Sequence, residues 1–229
     1  MRENELGTQL SEHLVQKSRE LPEKPSPVTL TGQFVRLEPL SLERDLDQLY
    51  KFSNGEPIQL NDRMIEAYDS AVMIWNYMSA GPFETKIALA AFLQRQIDAS
   101  NTLCFCVYDL QSGSPIGVCN YLNNFPAHLK IELGNIWYSP IAQRTKANLE
   151  TTYLLLEHAF SLGYRRVEWK CDSLNERSHK SALRMGFQFE GKQEQHFIIK
   201  GRNRDTDWFR ILDCEWPQIR QSLEAKLKA

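Results

Sequence analysis

Tyr138-Ser139-Pro140-Ile141-Ala142-Gln143-Arg144-Thr145-Lys146 joins the end of a strand-like run to the strongest helical pattern in the chain. Leu149, Thr152, Tyr153, Leu156, Ala159 and Phe160 fall on one stripe of a helix that starts near Lys146 and stops at Gly163. Such a stripe must bury against a sheet. The N-terminus of that helix presents free backbone N–H groups and the positive end of its dipole, which makes the junction a natural phosphate site. Thr145 can cap it, and Arg144 and Lys146 add two charges. The same three residues also read as a plain N-cap flanked by solvated cations.

Working outward, three strand-like runs precede the junction: 103–110, 115–122 and 129–138. They are separated by Gln111-Ser112-Gly113-Ser114 and Asn123-Asn124-Phe125-Pro126 and read as an antiparallel meander. After the helix come a short strand over 165–171, a helix over about 175–185, and strands over 187–200 and 208–213. Upstream, 28–40 reads as a first strand with a turn near Gly32, and a helix follows from about Leu42. Met64, Tyr68, Ala71, Trp75 and Met78 have helical spacing and predict a helix over 64–78, with another over about 84–99. This order predicts an α/β (α+β) sheet with helices packed on its faces. Residues 1–27, polar and ending in Leu21-Pro22-Glu23-Lys24-Pro25-Ser26-Pro27, read as a tail or clasp. The domain proper spans 28–215, and 216–229 is a helix or tail.

Composition narrows the class. With 229 residues, 42% of them hydrophobic, the chain can bury a substantial core. Its 27 basic and 29 acidic residues leave a formal charge of −2, so no global field favours nucleic acid or an anionic membrane. Cys104, Cys106, Cys119, Cys171 and Cys214 show neither CxxC nor metal-finger spacing, so no metal is expected and the thiols read as reduced, as in the cytoplasm. The opening Met1-Arg2-Glu3-Asn4-Glu5 lacks the basic and apolar pattern of an export signal. The longest apolar run, around Ile87 to Leu93, is far short of the roughly 18 residues that span a bilayer.

A second strand-to-helix junction, Asp172-Ser173-Leu174-Asn175-Glu176-Arg177-Ser178, reads alone as a capping box of Ser173 with Glu176. With the first junction it says more. Ile131-Glu132-Leu133-Gly134, then Gln143 through Glu150, then Asn175-x-x-Ser178 through Met185-Gly186-Phe187-x-x-Glu190-Gly191 resemble the signatures of the GNAT acyltransferases, particularly the branch of RimJ/RimL-type N-terminal acetyltransferases. Trp75-x-Tyr77, Gly81-Pro82-Phe83, Trp137-Tyr138-Ser139-Pro140, Glu168-Trp169-Lys170-Cys171 and Gly201-Arg202-Asn203-Arg204-Asp205-Thr206 resemble a little-characterised subgroup. The resemblance covers about residues 28–215.

The resemblance implies a central mixed, mostly antiparallel sheet splayed between its fourth and fifth strands. It also implies transfer of an acetyl group from acetyl-CoA, by direct attack, to a primary amine on a small molecule or a peptide N-terminus. In that scheme Glu132 accepts the amine proton, directly or through water; as an ordinary strand carboxylate it would instead pair with Lys130 or Lys170. A backbone amide of Asn135, Ile136 or Trp137 meets the charge developing on the carbonyl oxygen. Ile136, Trp137, Tyr138, Gln143, Arg144, Thr145, Lys146, Ala147 and Asn148 are implied to hold the cofactor. Lys146 and Asn148 stand at the loop's two usually small positions, and Arg144 or Lys146 is expected to replace part of the tight backbone contact. Asn175 would bind the pantetheine arm. Ala182 stands where many members carry a tyrosine that protonates the departing thiolate, so Ser178 is the candidate for that role, as proton donor or as a group that orients the thiol, with water as the alternative donor.

On the acceptor side the resemblance suggests Trp75, Tyr77 and Phe83 as walls, with Trp75 and Phe83 equally readable as core. The 200–207 loop adds Arg202 and Arg204, whose forks suit a planar anion or pair within the turn. The family also admits a homodimer. The rival function is a non-catalytic acyl-CoA-binding sensor or interaction module on the same fold.

Overall fold

The computed structural model describes residues 7–229. Its centre is an eight-stranded sheet ordered β1-β2-β5-β6-β7-β8-β10-β9. These strands are β1 (Leu30–Thr31), β2 (Val35–Pro39), β5 (Leu103–Asp109), β6 (Pro115–Phe125), β7 (Lys130–Tyr138), β8 (Arg166–Asp172), β9 (Gln188–Ile199) and β10 (Arg202–Leu212). β7 and β8 are parallel; every other neighbouring pair is antiparallel.

Helices cover both faces, which is why β5 reads as a nearly continuous apolar run rather than an alternating one. On one face α2 (Leu42–Lys51) and α3 (Lys86–Asp98) bury Leu49, Leu89 and Leu93 against Trp75, Val118 and Trp137. On the other, α4 (Ala147–Ser161), α5 (Glu176–Arg184) and α6 (Trp216–Lys228) enclose Phe105, Tyr121, Leu155, Leu156, Phe209 and Leu223. This is the mixed, mostly antiparallel α/β architecture expected from the sequence. The stripe on α4 is the buried one, and Gly163 ends it with a φ of +92° that a side chain would strain.

Two segments depart from the expected pattern. Instead of one helix over 64–78, the chain forms a small hairpin of β3 (Ile58–Leu60) and β4 (Arg63–Ile65), then a single π-helical turn at Ala71–Trp75. Tertiary contacts override the spacing there. Tyr68 donates its backbone N–H to Gly55, the Trp75 indole donates to the Ser53 carbonyl, and Ile65 and Tyr68 pack on Phe52, Ile58 and Ile141. The second departure is a helix within the stretch read as a tail or clasp, where α1 (Glu12–Glu20) forms behind the Ser11 cap. The proline-containing stretch after it lies against the body: Asn124 donates to the Pro22 and Glu23 carbonyls, and Lys24 donates to that of Ile97. Residues 1–6 lie outside the described residues. The described helices include none long and apolar enough to cross a membrane.

Candidate active site

The parallel pairing of β7 with β8 runs only from Lys130↔Arg166 to Leu133↔Trp169. Beyond it β7 continues with β6 alone, and Lys170 to Asp172 continue with β10 alone. The strands therefore part after Leu133. On β7 one extra residue is inserted where Gly134 faces Asn120 and Trp137 faces Val118, and Asn135 takes the left-handed φ of +48°. That is a β-bulge, which lifts the Asn135–Ile136 backbone out of the ladder. A slot of about 130 Å³ opens between the strands, with Glu132, Asn135 and Ile136 on one wall and Cys171, Asn175 and Ser178 on the other. Tyr77 and Arg204 close its sides.

At the head of the slot, Lys170 Nζ donates to both Glu132 oxygens at 2.7 and 2.6 Å, and Asn123 Nδ2 donates to Oε2 at 2.8 Å. Lys170 also sits 5.0 Å over the Trp208 ring. Glu132 is 1% exposed. Burial raises its pKa above the ordinary carboxylate value, and the Lys170 ammonium restrains the rise. Gly134 leaves the room this needs, since a Cβ there would stand 2.7 Å from the Leu122 side chain and 3.1 Å from Glu132 Oε1.

Across the gap, Asn175 is the N-cap of α5, its Oδ1 accepting from Ser178 N at 3.1 Å, so Ser173 does not cap this helix. Ser178 Oγ accepts from the Trp169 indole at 3.1 Å, which leaves its own hydrogen to donate elsewhere. Burial pushes the neighbouring Cys171 thiol up to about 11, so it stays protonated at neutral pH. Ala182 is fully buried in the core, and no hydroxyl reaches the slot from its position.

The loop into α4 is a 3-10 turn, Pro140–Ala142, followed by Gln143 to Lys146. Thr145 Oγ donates to the Ala142 carbonyl and accepts from Ala147 N at 3.1 Å. Among the described residues the Asn148 and Leu149 amides have no acceptor. Arg144 is exposed, with a left-handed φ of +61°. Three side chains expected at the cofactor are committed elsewhere. Gln143 donates to the Met73 and Tyr138 carbonyls, and Asn148 donates to Ser181 on α5. Lys146 reaches away to the Leu227 carbonyl and the Phe34 ring. Tyr138 and Trp137 point their rings into the two cores, and neither lines the slot.

Of the residues expected on the acceptor side, Tyr77 and Arg204 line the slot. Trp75 is fully buried between Phe83 and Trp137, with ring centroids 4.9 and 5.0 Å away, and Phe83 packs on it; both belong to the core. Arg202 is exposed and borders neither cavity. Lys200 at the β9–β10 turn donates to the Trp75 carbonyl at 2.7 Å and ties that hairpin to the segment roofing the slot. A larger cavity of about 380 Å³ adjoins the slot through Ser79, Leu122 and Asn135. Sequence reasoning passed over it because its walls come from α3 and β6, which read as ordinary structural elements.

The sequence model of the acetyltransferase (GNAT) domain family matches residues 35–188. Among solved structures, a GCN5-related N-acetyltransferase from Brucella melitensis is 34% identical with a TM-score of 0.78, over 88% of this chain and 86% of that one. A GNAT-family protein from Chromobacterium violaceum ATCC 12472 is 33% identical with a TM-score of 0.78, over 93% of this chain and 97% of that one. Among curated proteins none matches the chain.

Proposed function

From the premise that this chain belongs to the GNAT acetyltransferase family, we propose that it is an acetyl-CoA-dependent N-acetyltransferase of the RimJ/RimL-like branch. It works in the cytoplasm on a primary amine of a small molecule or a peptide N-terminus. The observation that carries this reading is the parting of β7 from β8 beside Glu132, with a bulge on one lip and the start of α4 beyond it.

The fit to acetyl-CoA rests on the donors left open. The edge of β7 past Leu133 has no strand partner on the β8 side, which suits an extended arm carrying amides. The Asn148 and Leu149 amides at the start of α4, with exposed Arg144, suit a diphosphate. Asn175, its Oδ1 engaged in the cap, keeps its Nδ2 for the arm. Bound there, acetyl-CoA supplies the thioester that the amine attacks.

The residues then divide the work. Glu132 takes the amine proton, directly or through a water, and its raised pKa brings it closer to a useful base than an exposed carboxylate would be. Lys170 opposes that rise and, bonded to both carboxylate oxygens, fixes its orientation. The bulge takes Asn135 and Ile136 out of the β6 register beside the gap, where an amide aimed at the thioester oxygen would stabilise developing negative charge. Ser178 Oγ, oriented by the Trp169 indole, holds a proton on the far wall for the departing sulfur.

The test is release of free CoA thiol when acetyl-CoA meets a panel of amines, beside thermal melting with acetyl-CoA alone. At about 100 times its dissociation constant the ligand should stabilise by roughly 2.7 kcal/mol. Stabilisation without turnover on any amine favours the sensor reading, which the double engagement of Glu132 by Lys170 supports. Absence of stabilisation removes both.

A further inference from the structure

The larger cavity carries an inference about the acceptor, and it rests on the acetyltransferase reading above. Phe92, Arg95, Gln96 and Ala99 occupy one face of α3 at helical spacing and form one wall. Thr102, Leu122 and Asn123 form another. Arg95 is the single charged residue lining the cavity, and among the described residues it has no ion-pair or hydrogen-bond partner. Glu132, which lines the adjoining slot, is already ion-paired with Lys170. The cavity thus presents one solvent-exposed guanidinium at its wall, free of any partner among the described residues, and no anion. It meets the slot at Asn135, beside the bulge and one side-chain contact, Asn123, from Glu132.

A cationic acceptor such as a polyamine would bring further positive charge into a cavity with no carboxylate to receive it. An acceptor with an anionic end gains a guanidinium fork. We propose that the acceptor is an amine that also bears a carboxylate, a free amino acid or short peptide, whose carboxylate pairs with Arg95 while its amine points to the Asn135 end. Arg95 is thereby the residue that sets acceptor specificity.

The experiment measures kcat/KM by thiol release for free amino acids and dipeptides, each beside its own carboxamide, with phosphoethanolamine and spermidine as further arms. The carboxamide's amine is the less basic and the more deprotonated at neutral pH, so a preference for the acid cannot arise from amine ionisation. The expected result is an acid-to-amide ratio of about 2 to 5 for the best acceptor, the range of a solvent-exposed ion pair. In Arg95→Met that ratio collapses toward one, and in Arg95→Lys it takes an intermediate value. Because the readout is a ratio within one variant, a general loss of folding cannot imitate it. The inference is overturned if carboxamides, spermidine or phosphoethanolamine are the better acceptors, if Arg95→Met keeps the ratio, or if no acid turns over. Turnover of amines without the acid preference strikes only this inference; failure of acetyl-CoA to bind strikes the acetyltransferase reading itself.

Discussion

Glu132 and Glu168 sit opposite each other on the parallel strands β7 and β8, the same residue type at the same register, both buried. Their surroundings differ. Glu168 is held by two cations, Lys130 at 3.2 Å and Arg166 at 2.7 Å, with Arg166 reaching on to Glu190. Glu132 has one cation and an amide, and it faces the slot where the strands separate. Both carboxylates bridge the two strands through a lysine, but only Glu132 also lines the slot, where a ligand can meet it. What surrounds each side chain, rather than residue type, burial or register, decides which role a carboxylate can take.

The sharpest way to break this contrast is to neutralise each carboxylate in turn. Glu132→Gln is expected to lower kcat by about 100- to 10,000-fold, the range for removal of a positioned base, with acetyl-CoA binding retained in a thermal-shift titration. An unchanged kcat on a working acceptor would remove Glu132 from the chemistry. Gly134→Ala perturbs the same carboxylate through space alone, because the new methyl crowds Leu122 and Glu132 Oε1. A displacement of under 1 Å should cost roughly 10- to 100-fold in kcat, with the acetyl-CoA KM nearly unaffected.

Lys170→Met sharpens the comparison by pH. Lys170 lowers the Glu132 pKa against the rise that burial causes, so its loss lets that pKa climb further. A base must be ionised to act. The acid limb of kcat/KM therefore lies above the ordinary glutamate range in the native protein and moves to still higher pH in the variant; a limb that stays put or moves down would show that another group controls it. Smallest in activity, Glu168→Gln should leave kcat within about twofold while lowering stability by about 1–3 kcal/mol in denaturant unfolding, since Lys130 and Arg166 lose a buried partner but keep access to water.

Much of this arrangement was legible in the sequence, because period and punctuation are local properties. The stripe on α4, the meander from Leu103 to Tyr138 and the two strand-to-helix junctions could be read without coordinates. The helix expected over 64–78 could not survive, because spacing says nothing of Ser53, Gly55 and Ile141, which draw Tyr68 and Trp75 into a bent segment. Residue type at the site was legible, but side-chain direction was not. Lys146 looks like a phosphate ligand until α6 supplies the Leu227 carbonyl, 81 positions away, that holds it elsewhere. Arg95 was passed over because α3 reads as ordinary amphipathic helix, and only the packing of that helix against β6 makes one face of it a cavity wall.

The central claim is that the parted edge of β7 and the first turn of α4 receive one ligand together. Amide hydrogen exchange with and without saturating acetyl-CoA tests it most directly. Slowed exchange at Asn135 to Trp137 together with Asn148 and Leu149, and little change at the paired Lys130 to Leu133, is the predicted result. Protection confined to other segments, or none at any of these amides while the ligand is demonstrably bound, would contradict it.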